Sequence, residues 1–264
     1  MSWSTTNKYL FLFRTAAFQE LRSRSALVAR MAFFIVTLLI FSNLWRVAFE
    51  SGFDLSLNAA DMLWYLVVTE VVLLSVPRLY KELELEIKNG EIISWLTRPL
   101  IYPLASLARA SGTFIVRVFF IALIGSGFAA MFSGKVPISW PAFCWLLLLV
   151  PLAGLVLMVF EASIGLLTIW LHEVEPLFWI WQKFLFILGG LMLPISIYPE
   201  WLQSIAAWTP FYAALYGCGR LVLESSQLTA LTTLVQLLIW LIVGIIVLSL
   251  LFRKTMNSIA LNGG

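Results

Sequence analysis

Charged residues are scarce in this chain of 264 residues, where Asp, Glu, Lys and Arg together make up 12% and apolar residues 61%. Soluble domains contain about 25% charged and about 45–50% apolar residues, so this composition excludes a water-soluble globule. It also excludes a disordered chain, because disorder requires low hydrophobicity. The mean hydropathy of +0.96 therefore predicts an integral membrane protein.

Side chains that carry catalysis or bind metal are also scarce. His172 is the only histidine, so the pair His172-Glu173 has no second imidazole with which to form a zinc site. The two cysteines, Cys144 and Cys218, lie in apolar sequence surroundings, which predicts small buried side chains rather than a disulfide or metal framework. No phosphate-binding loop of the G-x-x-x-x-G-K-[ST] type and no catalytic constellation occurs, so we expect no catalytic site, metal or cofactor on this chain. The net charge of +3 is too small to suggest nucleic-acid binding.

Long apolar runs predict the architecture, because a transmembrane helix needs about 20 mostly apolar residues. Six segments meet this requirement: residues 31–49, 59–76, 113–132, 142–171, 177–197 and 228–252. A further apolar stretch, residues 201–223, is interrupted by Thr209-Pro210 and by Gly217 and Gly219, which predicts a pair of short helices that dip into one face. The sequence thus predicts an all-α membrane protein with six transmembrane helices in a single domain over residues 1–264.

The N-terminal 30 residues combine apolar and basic side chains. An imperfect helical stripe between residues 8 and 28 includes Phe13 and Ala17, and arginines are interspersed along it. This pattern predicts an interfacial helix that lies on the membrane with its arginines at the headgroups.

The placement of Lys and Arg predicts the orientation. With the N-terminus in the cytoplasm, only Arg46, Lys135 and Arg220 of the 17 basic residues fall outside. Both termini and the loop at residues 77–112 are therefore expected in the cytoplasm, and the short helices at residues 198–227 on the extracytoplasmic side.

Two ionisable residues are predicted inside neighbouring spans, where charges are costly. Glu70 and Arg117 each lie about eight residues, or about 12 Å, from the predicted cytoplasmic end of their span. We expect an intramembrane ion pair between them, with Glu161 as a rival partner for Arg117. Such a pair either orients the helices or forms a gate or substrate contact, and the sequence leaves both readings open.

The cytoplasmic loop is the most charged part of the chain. Asn89-Gly90 interrupts it, Glu91 suits the first turn of a helix, and Pro99 ends that helix. A short amphipathic helix on such a loop is suited to dock in a groove of another subunit.

Two motifs carry a resemblance to a known family. The sequence NGEIISWLTRPL at residues 89–100 resembles the Gly-Glu, Leu-x-Arg-Pro-Leu loop of permease subunits in ATP-binding cassette transporters of the type-2 exporter superfamily. The sequence LPISIYPEWL at residues 193–202, followed by WTP at 208–210, is similar to the signature after the fifth span of that superfamily. Tyr198 stands where a Phe is expected, and the order of the parts agrees across essentially the whole chain.

The resemblance implies a permease subunit of an exporter in the bacterial inner membrane. A second permease, identical or homologous, would complete the pathway, and two ATPase subunits carrying ATP and Mg²⁺ would dock from the cytoplasm. The coupling element would include Glu82, Glu84, Glu86, Gly90, Glu91, Ile92, Trp95, Leu96, Arg98 and Pro99. The extracytoplasmic gate would include Pro194, Pro199, Trp201 and Pro210.

Two other classes of membrane protein compete with the exporter permease. An ATP-independent secondary transporter should show inverted repeats and broken helices at the midplane, which the sequence does not reveal. A membrane-embedded enzyme would need several polar residues at one depth. The 12 Trp and 20 Phe suit a hydrophobic or amphipathic cargo such as a drug, peptide or lipid-like molecule, although aromatic belts at the membrane interfaces account for many of them.

Overall fold

The computed structural model describes residues 5–51 and 58–262, and the regular secondary structure in these ranges is entirely helical. The α-helices are α1 (Thr5–Arg22), α2 (Arg24–Glu50), α3 (Ala59–Ser75), α4 (Leu79–Lys88), α5 (Glu91–Leu96), α6 (Tyr102–Ser133), α7 (Trp140–Leu166), α8 (Thr168–Leu171), α9 (Glu175–Leu188), α10 (Glu200–Ala207), α11 (Gly217–Leu223) and α12 (Gln227–Asn262). A 3₁₀-helix, Ile195–Ile197, precedes α10, and a π-helix, Tyr212–Tyr216, leads into α11.

Five helical stretches within the described residues are long and apolar enough to cross a membrane. They are Arg24–Glu50, Ala59–Lys88, Tyr102–Ser133, Trp140–Leu171 and Gln227–Asn257. They contain the first, second, third, fourth and sixth predicted spans, which confirms an all-α membrane protein.

Charged side chains mark one end of the bundle, which we call the basic end, at Arg30, Arg78 and Arg117. From Arg30 to the end of α2 at Glu50 the helix rises about 30 Å. This distance matches the thickness of the hydrocarbon layer, about 30 Å.

Residues 177–197, predicted as the fifth span, do not form one continuous helix. Helix α9 has 14 residues, about 21 Å, which is shorter than the hydrocarbon layer. It ends at a Gly189-Gly190 turn, where Gly190 has a φ of 62°. That left-handed conformation is readily available only to glycine, so the apolar composition continues while the helix stops.

Helix α3 lies at the centre of the bundle, and every residue from Met62 to Val72 is buried. Two of its side chains hold the turn that follows α9. The Tyr65 hydroxyl donates a hydrogen bond to the carbonyl of Gly190, and the Thr69 hydroxyl donates to the carbonyl of Leu191 at 2.9 Å. The turn after α9 is therefore fixed to the core.

The predicted pair of short helices is present as α10 and the helical segment from Tyr212 to Leu223. The chain breaks only around Trp208-Thr209, and Gly217 and Gly219 lie inside α11 rather than interrupting it. A Cβ on Gly219 would lie 2.5 Å from the Tyr65 ring, so glycine permits the close contact between α11 and α3.

The two cysteines have different environments. Cys218, between these glycines, is buried as predicted, whereas Cys144 on α7 is exposed, contrary to the prediction. In a membrane helix an apolar sequence does not imply burial in protein, because lipid surrounds the outer face.

Helix α1 packs lengthwise against the first half of α6. The Ile101 N–H, just before α6, donates to the Tyr9 hydroxyl at 2.9 Å, and Arg117 forms an ion pair with Glu20 at 2.7 Å. Between these contacts, a Cβ on Gly112 would lie 2.1 Å from the carbonyl oxygen of Phe13. Both helices run in the same direction, so one face of the predicted interfacial helix is docked on α6.

Gly112→Ala should therefore separate α1 from α6. The added methyl group cannot fit beside a backbone carbonyl, and overpacking of this kind costs about 1–3 kcal/mol. Gly127→Ala on the same helix is the matched control, because a Cβ there has no neighbour within 4 Å and alanine favours a helix. Thermal unfolding in detergent should show a lower midpoint for Gly112→Ala only; equal midpoints would contradict the packing.

Candidate functional site

Helices α4 and α5 and the residues that follow them project from the basic end between α3 and α6; we call residues 79–101 the α4–α5 segment. Glu161 of α7 accepts a hydrogen bond from the Leu79 N–H at 3.0 Å and so satisfies the first turn of α4. Leu79 and Leu83 are fully buried, and Leu83 contacts α7 where Gly165 leaves room. The segment is therefore anchored to the membrane-spanning bundle at its start.

Two of the three acidic residues of α4 that were predicted to meet a partner are turned into the fold. Glu84 is buried and lies 3.2 Å from Lys81 and 2.5 Å from Lys88. Glu86 is also buried, where it accepts a hydrogen bond from the Tyr102 hydroxyl at 2.7 Å. These carboxylates hold the α4–α5 segment in shape, and their charge is already compensated within the chain.

Arg109 of α6 joins the two helices of the segment. Its guanidinium lies 3.0 Å from Glu82 and 2.8 Å from Glu86, which stand one turn apart on α4. It also lies 4.6 Å from the ring centre of Trp95 on α5, within the range of a cation–π contact. Sequence reasoning missed Arg109, although two glutamates four residues apart on one helix call for a cation beside them.

The turn between α4 and α5 depends on Gly90, whose φ is 72°. A side chain at this position would be strained by the backbone conformation even though no neighbour lies within 4 Å. Glu91 begins α5 as predicted, Ile92 is buried and Leu96 is half-buried. The short helix predicted in this loop is confirmed, whereas its apolar side chains do not all share one face, because Ile93 is exposed.

The outer face of α5 is exposed and carries both apolar and charged groups. Ile93 is 58% exposed, and Glu91, Arg98 and Pro99 are exposed beside it. The Arg98 guanidinium lies 4.2 Å from the ring centre of Trp95, which orders the end of the segment. An exposed isoleucine on a short helix that is clamped from behind is suited to insert into a groove of another protein.

A second connection joins α4 to α9. Lys81 lies 2.7 Å from Glu175, and its hydrogen bond holds the pKa of that carboxyl below the ordinary value. Beside this pair, a recess of about 270 Å³ is lined by Lys81, Lys88, Glu173 and Trp179, among others. The α4–α5 segment is thus tied to α6, α7 and α9 at once.

The predicted intramembrane ion pair is not formed. Arg117 binds Glu20 of α1 through both carboxylate oxygens, at 2.7 and 3.2 Å, and Glu161 is engaged by the backbone of α4. The predicted pairing was wrong because it considered only residues of the spans, whereas α1, which precedes them, packs beside α6 and brings Glu20 to Arg117. Glu70 is buried in α3 and forms no ion pair with another described residue.

The four predicted gate residues all lie around the paired short helices. Pro194 and Pro199 immediately precede the 3₁₀-helix and α10, and Pro210 is buried at the start of the second helical segment. Trp201 on α10 is exposed. The prolines start the helices, and the exposed indole is available to lipid or to another subunit.

The two carboxylates beside Arg109 allow a paired test. Glu86→Gln should destabilise the protein by about 2 kcal/mol, because it removes the buried one of the two carboxylates beside Arg109 and leaves only the partly exposed Glu82. Glu82→Gln should cost less than about 1 kcal/mol, because the Glu82 side chain is 42% exposed against 7% for Glu86. Unfolding in detergent and tryptic cleavage after Lys88 measure both effects; equal losses would contradict the assignment of Glu86 as the structural partner.

A family model described as "ABC-2 family transporter protein" matches residues 27–263, which is nearly the whole chain. No curated protein matches the sequence.

Proposed function

Because the chain belongs to the ABC-2 transporter family, we propose that this permease subunit couples to a separate ATPase through the α4–α5 segment and exports its cargo. The family supplies the membrane domain of an ABC transporter. The observation that carries the coupling proposal is the exposed face of α5, with Ile93 outermost, held rigidly by Trp95 and Arg109.

The contact to the ATPase is proposed at Glu91, Ile93, Arg98 and Pro99 rather than at all of the acidic residues. Glu84 and Glu86 are committed within the chain, so only the partly exposed Glu82 remains accessible on α4. Gly90, Ile92, Trp95 and Leu96 support the contact from behind by setting the position of α5.

Transport would follow from a population shift. Two ATPases that close around ATP bind one arrangement of the α4–α5 segments more tightly, and they shift the equilibrium only by that difference in affinity. Arg109 would transmit the displacement of α5 to α6, because it contacts both α4 and α5 while lying in α6 itself. ATP and Mg²⁺ belong to the ATPase subunits in this proposal.

The proposed transporter also needs a second permease, an outer gate, an orientation in the membrane and a cargo. A second permease, identical or homologous, supplies the other half of the pathway, and the short helices with Pro194, Pro199, Trp201 and Pro210 close its far end. The scarcity of basic residues there supports an inner-membrane protein with cytoplasmic termini. The apolar, aromatic-rich composition supports a hydrophobic or amphipathic cargo such as a drug, peptide or lipid-like molecule.

Ile93→Glu should abolish co-purification of the ATPase. A carboxylate at the centre of an apolar contact loses the burial of the isoleucine and adds a desolvation cost, together about 3 kcal/mol or more, which is over a hundredfold in affinity. The tagged permease is purified from its native membranes in mild detergent, and co-purifying proteins with a phosphate-binding loop are identified by mass spectrometry.

The matched control is Ile205→Glu on α10, because Ile205 is 52% exposed and lies among the short helices far from α5. It should retain the ATPase. If wild type brings down no ATPase in several detergents, or if both variants retain it equally, the coupling proposal fails.

A further inference from the structure

A hollow along one flank of α1, beside its contact with α6, is distinct from the α4–α5 segment. It has a volume of about 360 Å³ and is lined by Phe13, Arg14, Ala17, Phe18 and Leu21. All lining groups except Arg14 are apolar, and Phe18 is 64% exposed.

The packing of α1 against α6 fixes the positions of residues that line the hollow. Gly112 of α6 brings Phe13 and Ala17 of α1 into direct backbone contact, and the ion pair between Glu20 and Arg117 holds the end of α1. An apolar surface of this kind is costly to leave in water, so it requires an apolar occupant.

Arg14, the charged residue that lines the hollow, indicates that the occupant carries a negative charge. Arg14 is exposed and forms no ion pair with any described residue. The one acidic residue of α1, Glu20, is already neutralised by Arg117. A cation with no counter-charge beside an apolar hollow is complementary to an anionic group attached to a hydrocarbon chain.

The position of α1 relative to the membrane favours a lipid over a protein segment. Only Ser23 separates α1 from α2, which crosses the membrane. Phe13, the lining residue farthest from α2, lies about 17 Å along the helix from the first turn of α2, so the hollow adjoins the end of a helix long enough to cross a membrane.

We propose that this hollow is a binding site for an anionic phospholipid. Part of an acyl chain lies against Phe13, Ala17 and Leu21, and Arg14 binds the phosphate. The site requires only that the protein resides in a membrane, so it stands independently of the proposed coupling to an ATPase.

Lipid binding to the purified, delipidated full-length protein can be measured by native mass spectrometry in detergent. The probes are dioleoylphosphatidylglycerol, dioleoylphosphatidylcholine and inorganic phosphate, which separate the charge of the headgroup from the lipid chain and from a free anion. Wild type should bind phosphatidylglycerol more tightly than phosphatidylcholine and should not respond to inorganic phosphate.

Arg14→Gln should weaken phosphatidylglycerol binding about fivefold, the effect expected of one basic residue near a membrane surface, and should leave phosphatidylcholine binding unchanged. Arg22→Gln is the matched control, because Arg22 is an exposed arginine of the same helix that does not line the hollow. Unchanged thermal unfolding of both variants verifies that they are folded.

Three results would overturn the proposal. Equal binding of the two lipids by wild type would remove the role of the charge and favour an apolar protein segment as the occupant. Equal losses in Arg14→Gln and Arg22→Gln would indicate a diffuse basic surface without a site. Competition by inorganic phosphate would indicate a site for a free anion.

Discussion

The energetic cost of an unpaired charge in hydrocarbon constrains this molecule more than any other factor. Arg30, Arg78, Arg117 and Glu161 lie at one end of the long helices, and all but the exposed Arg78 are bound to a carboxylate, a backbone N–H or a backbone carbonyl. This constraint concentrates polar contacts at the basic end. The connections between α1, α4, α6 and α7 are formed there, where a protein outside the membrane can reach them.

The long spans and the short helix after Asn89-Gly90 follow directly from the sequence, because apolar run length, glycine and proline act locally. The fifth segment does not, since its composition is apolar throughout and the end of α9 depends on the backbone conformation of Gly190. The partner of Arg117 could not be found either. Glu20 lies 97 residues away, and the pairing depends on the side-by-side packing that Gly112 permits.

Three glutamates of the α4–α5 segment look equivalent in the sequence but have different roles in the structure. Glu82, Glu84 and Glu86 alternate along the chain, yet α4 turns the last two into the fold and leaves the first partly exposed. Charge reversal at all three positions would disrupt the internal support of the segment together with any docking. The exposed face of α5 is the part of the segment where binding and folding can be separated, because Ile93 contributes little to the core.

The two cysteines have a consequence for observing this protein at work. Cys144 is exposed on α7. Cys218 is buried on α11 between two glycines that pack against α3 and α12. Any movement that withdraws α11 from these neighbours must uncover the second thiol. The chain therefore contains a native thiol, Cys218, whose accessibility reports rearrangement of the short helices, and its use does not require the cargo to be known.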